Sequence, residues 1–426
     1  MTTTDPAASD TAQSATARLF STRGFPATYA VGVVWSLCRW AIGFLGAYVV
    51  NDLTGSPRLV QLTGALLWAP LLFAGVAGGV LSDRFPRRLL LLIQFGVLGP
   101  ATAGIGFLAL ADRLPLWLLY LYMVTAGGGW VIDMTVRRAL VHDFVGDTQV
   151  DRAMAFEGLA SALGLAVGAF AGGALIGAFG AGGAYLAVAG AIALAAALLL
   201  LVPSTPGHAE PSAAMTGTGT GSETKAPPAE SFVSLLVGGL KLAGRLPVLA
   251  SILGVTALTN FFHFSYFPIV PVIADRVDAT PVATGALAAA TGLGMAVGAL
   301  VILTERVPRG PAYATGAAGA FTFLLGFALF DTYALVFASL FLASSFVGLF
   351  AATQSALVLR SVEPAMKGRA MGLLLMAIGM LPLGMAALGE AAEVFGAPTA
   401  LVGANLIGLA GLGLYLSRRP EVLRLP

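Results

Sequence analysis

The chain of 426 residues is 58% hydrophobic and 10% charged, and its formal net charge is +2. Globular domains carry about 25% charged residues, so this composition excludes a water-soluble fold of that size. Apolar runs of about 18 residues or more recur along the chain, and that length crosses a bilayer as a helix. The sequence therefore predicts an all-α, multi-pass membrane protein embedded in a lipid bilayer.

The apolar runs predict twelve transmembrane helices in two sets of six. Residues 1–25 are polar and lack a signal-peptide cleavage pattern, so we expect a tail followed by a span that is retained. Residues 203–246 form a linker rich in Pro, Gly, Ser and Thr, and its end, 231–246, is suited to lie along the membrane surface. The predicted spans are 26–50, 58–82, 87–111, 115–139, 151–178, 181–202, 247–273, 281–304, 310–330, 333–358, 368–394 and 397–417. The six-helix bundles are thus 26–202 and 247–417, with a C-terminal tail at 418–426.

The distribution of basic residues predicts the orientation. With the N-terminus in the cytoplasm, 19 of the 23 Lys and Arg residues lie on the cytoplasmic side, and Arg58, Arg113 and Arg276 lie outside. The remaining one, Arg39, lies within the first span. The positive-inside rule therefore predicts that both termini are cytoplasmic.

Two pairs of similar segments reveal an internal repeat. "LSDRFPRR" (81–88) matches "LTERVPRG" (303–310) at an offset of 222 residues. "ALVHDFVGDTQVDRAM" (139–154) matches "ALVLRSVEPAMKGRAM" (356–371) at an offset of 217 residues. Both pairs join equivalent loops of the two predicted bundles, so the chain is built from two parallel repeats, as in many transporters.

These motifs resemble those of the major facilitator superfamily over essentially the whole chain. The family's loop between spans 2 and 3 has the pattern Gly-x-Leu-x-Asp-Arg-x-Gly-Arg-Lys/Arg, which residues 79–88 fit except that Pro86 replaces the second Gly. "GLAVGAFAGG" (164–173) is similar to the family's antiporter motif, although Ala169 stands in place of its Pro. "NDLTGSP" (51–57) and "DRAMA" (151–155) are most similar to the branch of bacterial exporters of drugs and siderophores.

The resemblance implies that the charged loops form a cytoplasmic gate that latches the two halves. In the family, the equivalent of Asp83 meets the start of span 11, which is "KGRAMG" (367–372) here. The alternative is that the basic residues only anchor the loops on the positive-inside side. The predicted gate residues are Gly79, Asp83, Arg84, Arg87, Arg88, Glu305, Arg306 and Arg309. Gly168, Gly172 and Gly173 on span 5 are predicted to allow close helix packing.

Arg39 is the most informative single residue, because an ionised side chain in mid-span needs a wet cavity or a counter-charge. Ser36 and Arg39 share a face with Gly43 and Gly46, within an arc of about 80°. The resemblance implies that spans 1, 4, 7 and 10 line the substrate cavity. Arg39 is therefore predicted either to contact a polar or anionic substrate or to form a structural ion pair.

Span 4 adds acidic and aromatic candidates. Tyr122, Trp130 and Asp133 share one face of this span, and Tyr122 and Trp130 are predicted to line the cavity. Asp133 either couples protons or forms a structural pair, with Arg137 at i+4 or with Arg87. Glu157 on span 5 carries the same two alternatives.

Span 7 contains "TNFFHFSYFP" (259–268), in which Asn260, His263, Phe264 and Phe267 lie within an arc of about 100°. This face suits a cavity for an amphiphilic molecule, or else it belongs to the interfacial aromatic belt. His263 is also a candidate for proton coupling, because histidine titrates near neutral pH.

Together these features predict a secondary active transporter, and not an enzyme. The three histidines show no metal-ligand spacing, there is no Gly-x-Ser-x-Gly elbow and no Walker motif, and Cys38 has no second cysteine to pair with. We expect an exporter of a small amphiphilic molecule in the cell inner membrane, acting as a monomer coupled to an ion gradient, most simply protons. We expect no cofactor, metal or nucleic-acid partner. An importer or uniporter of an organic anion, and a non-transporting sensor on the same fold, are the alternatives.

Overall fold

A computed structural model describes residues 16–73, 85–203, 246–303, 307–363 and 366–425, and within these ranges the protein is helical with no strand. Most of the linker predicted at 203–246 lies outside them, as do the starts of both charged loops. Because a bilayer offers no water to bond with the backbone, helices that satisfy their own hydrogen bonds are the expected spanning element.

The described residues of the first part of the chain include five helices with complete bounds. They are α1 (Phe25–Thr54), α2 (Pro57–Trp68), α3 (Arg87–Leu110), α4 (Leu116–Ile132) and α5 (Arg138–Leu200). A 3₁₀ turn (Ala69–Phe73) follows α2, and a π-helical turn (Asp133–Arg137) joins α4 to α5. The long α5 is broken at Gly146 and at Gly180, whose φ values are 65° and 70°. Glycine adopts these angles without steric cost, so both breaks are encoded locally.

The described residues of the second part include eight helices and a short turn near the C-terminus. They are α6 (Pro247–Leu258), α7 (Val270–Asp275), α8 (Pro281–Leu303), α9 (Arg309–Leu329), α10 (Tyr333–Arg360), α11 (Lys367–Ile378), α12 (Leu381–Phe395) and α13 (Ala397–Arg418). A π-turn (Thr259–His263) and a 3₁₀ turn (Phe264–Ile269) connect α6 to α7, and a 3₁₀ turn (Pro420–Arg424) ends the chain. Pro268 contributes to the irregular stretch, because it has no N–H to give to the carbonyl four residues earlier.

Ten helices in the described ranges are long and apolar enough to cross a membrane. Two features account for the difference from the twelve predicted spans. The predicted span 58–82 enters undescribed residues after Phe73, and spans 151–178 and 181–202 lie on α5, on either side of Gly180.

In the described ends of the segments 81–88 and 303–310, the two prolines have similar backbone angles. Pro86 precedes α3 with φ −56° and ψ 123°, and Pro308 precedes α9 with φ −58° and ψ 135°. Each proline fixes φ and directs the chain from an extended residue into a helix that begins at an arginine, Arg87 or Arg309. The proline that departs from the family's loop pattern therefore serves as a helix-start residue in both copies.

Buried side chains divide between the two parts of the chain. The largest apolar core consists of buried residues between Val31 and Val202, and two others consist of buried residues between Leu249 and Val422. A small cluster of Ala65, Leu381 and Met385 connects the two parts. The predicted C-terminal tail is packed as well: Val422 is fully buried, and the Gly310 N–H donates to the Leu425 carbonyl at 3.2 Å.

The glycines of α5 permit close contact with two helices. A Cβ added at Gly168 would lie 2.5 Å from the Leu37 carbonyl oxygen of α1, and one at Gly172 would lie 2.9 Å from the Phe44 ring. A Cβ at Gly173 would lie 2.4 Å from the Pro281 carbonyl oxygen at the start of α8. Gly173 is thus a contact between the two parts of the chain.

We expect Gly173→Ala to destabilise the protein by about 1–3 kcal/mol, because its methyl group would meet backbone that cannot rotate away. Gly190→Ala is the matched control on the same helix, since a Cβ there meets no described atom within 4 Å. Thermal unfolding of both purified variants in detergent measures the difference. Equal midpoints would contradict the close α5–α8 contact.

Candidate functional site

Three tryptophans and a phenylalanine from four different segments meet in the interior. The rings of Trp68 and Trp130 are 4.3 Å apart between centroids, and Trp40 lies 5.3 Å from Trp130 and 6.3 Å from Trp68. Phe267, from the second part of the chain, lies 6.2 Å from Trp40. We call these four residues the aromatic cluster. It brings α1, α2 and α4 together with the irregular segment before α7.

Arg39 lies against this cluster. Its guanidinium carbon is 4.2 Å from the centroid of the Trp130 ring and 5.6 Å from that of Trp40, and the residue is only 8% exposed. Stacking on an indole face stabilises a cation, and more so when water is excluded. An ionised arginine at mid-membrane costs about 2.5–3.5 kcal/mol on insertion scales, and the two indoles offset part of that cost.

A buried ionic triad lies one turn further along span 4. The Arg137 Nε donates to Asp133 Oδ1 at 2.5 Å, and its Nη1 donates to Glu157 Oε2 at 2.5 Å. A third bond joins Arg137 Nη2 to Asp133 Oδ2 at 3.2 Å. Of the alternatives for Asp133, the i+4 ion pair with Arg137 is therefore present, and Glu157 shares the same guanidinium.

The local sequence places Asp133 and Arg137 of this triad on a π-helical turn. The Thr135 hydroxyl donates back to the carbonyls of Val131 and Ile132, a contact that competes with regular helix bonding. Widening the helix over Asp133–Arg137 lets Arg137 reach both carboxylates, and π-turns of this kind are frequent at functional sites. Gly32 of α1 makes room for the guanidinium, since a Cβ there would lie 2.3 Å from Arg137 Nη1.

The other two cavity residues predicted in the first part of the chain, Tyr122 and Ser36, differ in their distance from the site. Tyr122 is buried among helices of its own part, with its hydroxyl 2.8 Å from that of Thr102 and its ring against Tyr185. Ser36 lies against α5, where a Cβ at Gly164 would be 2.0 Å from its hydroxyl oxygen. The Ser36 hydroxyl also accepts from Arg39 Nη2 at 3.4 Å, so Ser36 remains next to the site while Tyr122 does not contact the aromatic cluster.

The predicted residues of span 7 divide in the same way. Phe267 belongs to the aromatic cluster, and Phe264 packs on it at 5.6 Å. His263 is fully buried, with ring contacts to Tyr266 and Phe321. Asn260 donates to the Thr256 carbonyl of its own helix. His263 and Asn260 thus face the interior of the second part of the chain.

The described gate residues tie helices together on the side where α3 begins. Arg87 forms an ion pair with Asp143 of α5 and donates to the Ala139 carbonyl at 3.0 Å. Arg88 donates to the Leu200 carbonyl at 2.9 Å. Arg309 is the first residue of α9. Gly79, Asp83, Arg84, Glu305 and Arg306 lie outside the described residues.

Polar contacts between the two parts of the chain gather at the opposite end of the molecule, where α1 ends and α2 begins. Asn51 Nδ2 donates to Asp275 Oδ2 at 2.6 Å, and Gln61 Nε2 donates to the Ser265 carbonyl at 2.9 Å. Glu393 Oε2 accepts from the Ser56 hydroxyl at 2.7 Å, with a further contact from the Arg58 N–H at 3.3 Å. We call this set the closing contacts.

Sequence reasoning missed Trp40, Trp68 and most of the closing contacts. One available signal was that Trp40 and Trp68 lie within predicted spans, away from the interfacial positions that tryptophan prefers. The closing contacts join residues more than 200 positions apart, and helical periodicity carries no information on such pairs.

The comparisons with known proteins decide the family. The model of the Major Facilitator Superfamily matches residues 28–386. The chain belongs to the major facilitator superfamily. It is a membrane transporter rather than an enzyme, as the sequence predicted.

The relatives of this transporter include exporters. It is 27% identical over 286 residues to the enterobactin exporter EntS of Shigella boydii serotype 4 (strain Sb227), covering 65% of this chain and 62% of that protein. The enterobactin exporter EntS of Escherichia coli (strain SMS-3-5 / SECEC) matches at the same identity and coverage. The alignment therefore spans less than two thirds of these relatives' length.

Solved structures share the fold. A bacterial homologue of the human lysosomal transporter Spinster, inward-facing and unoccupied, superposes with a TM-score of 0.70 at 15% identity, covering 93% of this chain and 97% of that one. The nucleoside transporter NupG superposes with a TM-score of 0.65 at 14% identity, covering 94% and 99%. At these identities the likeness concerns the fold alone.

We expect Arg137→Gln to destabilise the transporter by about 3–5 kcal/mol, because two buried carboxylates would lose their shared cation. Arg138→Gln is the control, since Arg138 is exposed and forms no ion pair in the part of the chain that the structure describes. Combining Arg137→Gln with Asp133→Asn and Glu157→Gln should restore part of the loss by removing all three charges. Unfolding midpoints that do not distinguish Arg137→Gln from Arg138→Gln would refute a stabilising triad.

We expect Glu393→Ala to weaken the closing contacts and separate the ends of α1 and α12. Spin labels on Leu53→Cys and Val394→Cys, which replace side chains 57% and 71% exposed, report that separation in a Cys38→Ala background. Glu390→Ala is the control, because Glu390 pairs with Arg58 only at 3.8 Å and at an exposed position. The distance distribution should broaden toward longer values in Glu393→Ala alone, and an unchanged distribution would contradict its role.

Proposed function

We propose that this transporter is a secondary active exporter of a small amphiphilic organic molecule, of the siderophore type, in the cell inner membrane. The observation that carries the proposal is the aromatic cluster beside Arg39. Aromatic side chains from both parts of the chain converge there on one buried cation, and a site between two repeats is the expected place for a transported substrate. Rings with a polar handle suit an amphiphile better than a sugar.

We infer twelve spans in two six-helix halves, with both termini in the cytoplasm. The break at Gly180 supports counting α5 as two spans. The helix α2 and the 3₁₀ turn that follows it support the predicted span 58–82, whose end lies outside the described residues. The separate apolar cores support two halves. The asymmetric distribution of Lys and Arg supports the orientation.

The placement of the contacts between the halves supports a mechanism of alternating access. In the proposed orientation the closing contacts seal the external end, so this conformation opens toward the cytoplasm. In the proposed cycle, opening the external end breaks the bonds of Asn51, Gln61 and Glu393. Closing the cytoplasmic end then engages the predicted gate loop, residues 79–88. Arg87, held by Asp143, would fix the start of span 3 while the loop before it engages the other half.

Proton coupling is assigned to the ionic triad. Glu157 uses one carboxylate oxygen for Arg137, and its other oxygen is buried without a partner among the described residues. Both oxygens of Asp133 accept from Arg137. Asp133 and Glu157 are the candidates for the proton. His263, enclosed among Tyr266, Phe321 and Phe264, is the weakest of the three.

The relatives support the direction of transport. Enterobactin exporters are named for outward movement, and their match covers 65% of this chain. We propose that the transporter acts as a monomer, because both faces of the site come from one chain.

Flux in proteoliposomes tests the proposal. We expect enterobactin or an amphiphilic dye to move against its gradient under an imposed pH difference, and Arg39→Ala to reduce the rate at least tenfold. Asp133→Asn and Glu157→Gln should abolish the dependence on pH, while Arg113→Ala, an exposed arginine, should behave as wild type.

Each outcome has a distinct reading. Full pH-driven flux in both carboxylate variants would overturn the coupling assignment. Movement that depends only on the membrane potential would favour a uniporter of an anion. If no probe moves under any gradient, the protein is a sensor on a transporter fold.

A further inference from the structure

Resting on the proposed function, we propose that the substrate is a planar aromatic anion whose carboxylate or phenolate binds Arg39. In this arrangement the ring of the substrate lies among Trp40, Trp68 and Phe267. The proposal follows from the hydrogen-bonding groups that remain unused around Arg39 and from the rings that surround them.

Arg39 has no anionic partner among the residues that the structure describes. Both oxygens of Asp133 accept from Arg137, and the bonded oxygen of Glu157 accepts from Arg137 as well. These carboxylates influence Arg39 only at longer range. A buried guanidinium without a direct counter-ion is a strong site for an incoming anion.

The donors of Arg39 are largely unspent. Among the described residues its one hydrogen bond reaches Ser36 Oγ at 3.4 Å, longer than an ordinary N–H···O bond, and its buried Nε has no partner there. Stacking on Trp130 occupies one face of the guanidinium but leaves its edge, where the N–H groups point. That edge matches a carboxylate in a bidentate manner.

A second unspent donor lies on the adjacent residue. The indole Nε1 of Trp40 is buried and has no hydrogen-bond partner among the described residues, although the Trp40 ring as a whole is partly exposed. Buried polar groups are nearly always satisfied, so two neighbouring orphan donors indicate a missing acceptor. A phenolate or carboxylate oxygen between Arg39 and Trp40 would satisfy both.

The surrounding rings favour an aromatic ligand over an aliphatic one. Trp40, Trp68 and Phe267 are all partly exposed, so their faces are accessible to a ligand. Their centroid separations of 6.2–6.3 Å are those of tilted and edge-on pairs, a geometry that extends to an added ring. A cationic ligand would be repelled by the charge of Arg39, and the carboxylates of Asp133 and Glu157 are already bonded to Arg137.

Calorimetric titration of the purified full chain in detergent tests the proposal with three matched probes. 2-Naphthoate carries the ring and the anion, 2-naphthamide carries the ring without charge, and cyclohexanecarboxylate carries the anion without an aromatic ring. We expect wild type to bind 2-naphthoate at least tenfold more tightly than either of the other two.

Variants separate the two recognition elements. Arg39→Gln should weaken 2-naphthoate at least tenfold and change 2-naphthamide less than twofold, and Arg39→Lys should be intermediate because it keeps the charge but loses the planar fork. Trp40→Leu should remove the preference for 2-naphthoate over cyclohexanecarboxylate. Trp117→Leu is the control, because Trp117 is 66% exposed on α4.

Retained size-exclusion and unfolding profiles for each variant establish that it is folded. If Arg39→Gln does not fold, the titration of Arg39→Lys decides. The proposal is overturned if Arg39→Lys binds 2-naphthoate as tightly as wild type and wild type shows no preference for 2-naphthoate over the other two probes. Equal affinity of wild type for 2-naphthoate and 2-naphthamide, or no binding of any probe, also overturns it.

The binding test and the flux test fail independently. An exporter of other molecules without anion preference would leave the proposed function standing and refute the ligand class. Tight, Arg39-dependent binding of 2-naphthoate without movement under any gradient would support the ligand class and refute the proposed function.

Discussion

The shared bond of Arg137 to Asp133 and Glu157 is the interaction on which the rest of the site depends. It holds the π-turn of span 4 against α5, and the guanidinium fills the space that Gly32 leaves on α1. Trp130 is three residues before Asp133, so fixing this turn also fixes the ring on which Arg39 stacks. Because Arg137 engages both acids, Arg39 has no anionic partner among the residues that the structure describes.

The two parts of the chain touch through two different kinds of contact. Glycine on α5 allows backbone to approach backbone at the start of α8, while the closing contacts join polar side chains at the end of the molecule. A glycine contact suits a surface on which helices pivot, since few side chains must rearrange. The bond between Ser56 and Glu393 lies at an exposed position, where a hydrogen bond can exchange for water at little net cost, which suits a contact that breaks in the proposed transport cycle.

Particular residues show how far sequence reasoning reached. The family assignment rested on a loop motif and an internal repeat, and the comparisons confirmed it. The pairing of Asp133 with Arg137 was one of the alternatives that their spacing allowed. Tyr122 and His263 were assigned to the cavity because they share a helix face with other polar residues. That face is wide enough to touch several neighbours, and here both residues turn to helices of their own part of the chain.

By itself the sequence determined the class, the family and the local breaks. Apolar length sets what can cross a bilayer, proline sets where α3 and α9 begin, and glycine sets where α5 bends. Only the tertiary structure decided which side chains meet. Trp40 and Phe267 lie more than 200 residues apart in the chain but meet in the aromatic cluster. Glu393 and Ser56 are 337 residues apart and share a hydrogen bond. Such contacts depend on how helices rotate and pack against each other, and the periodicity of a single helix does not encode that arrangement.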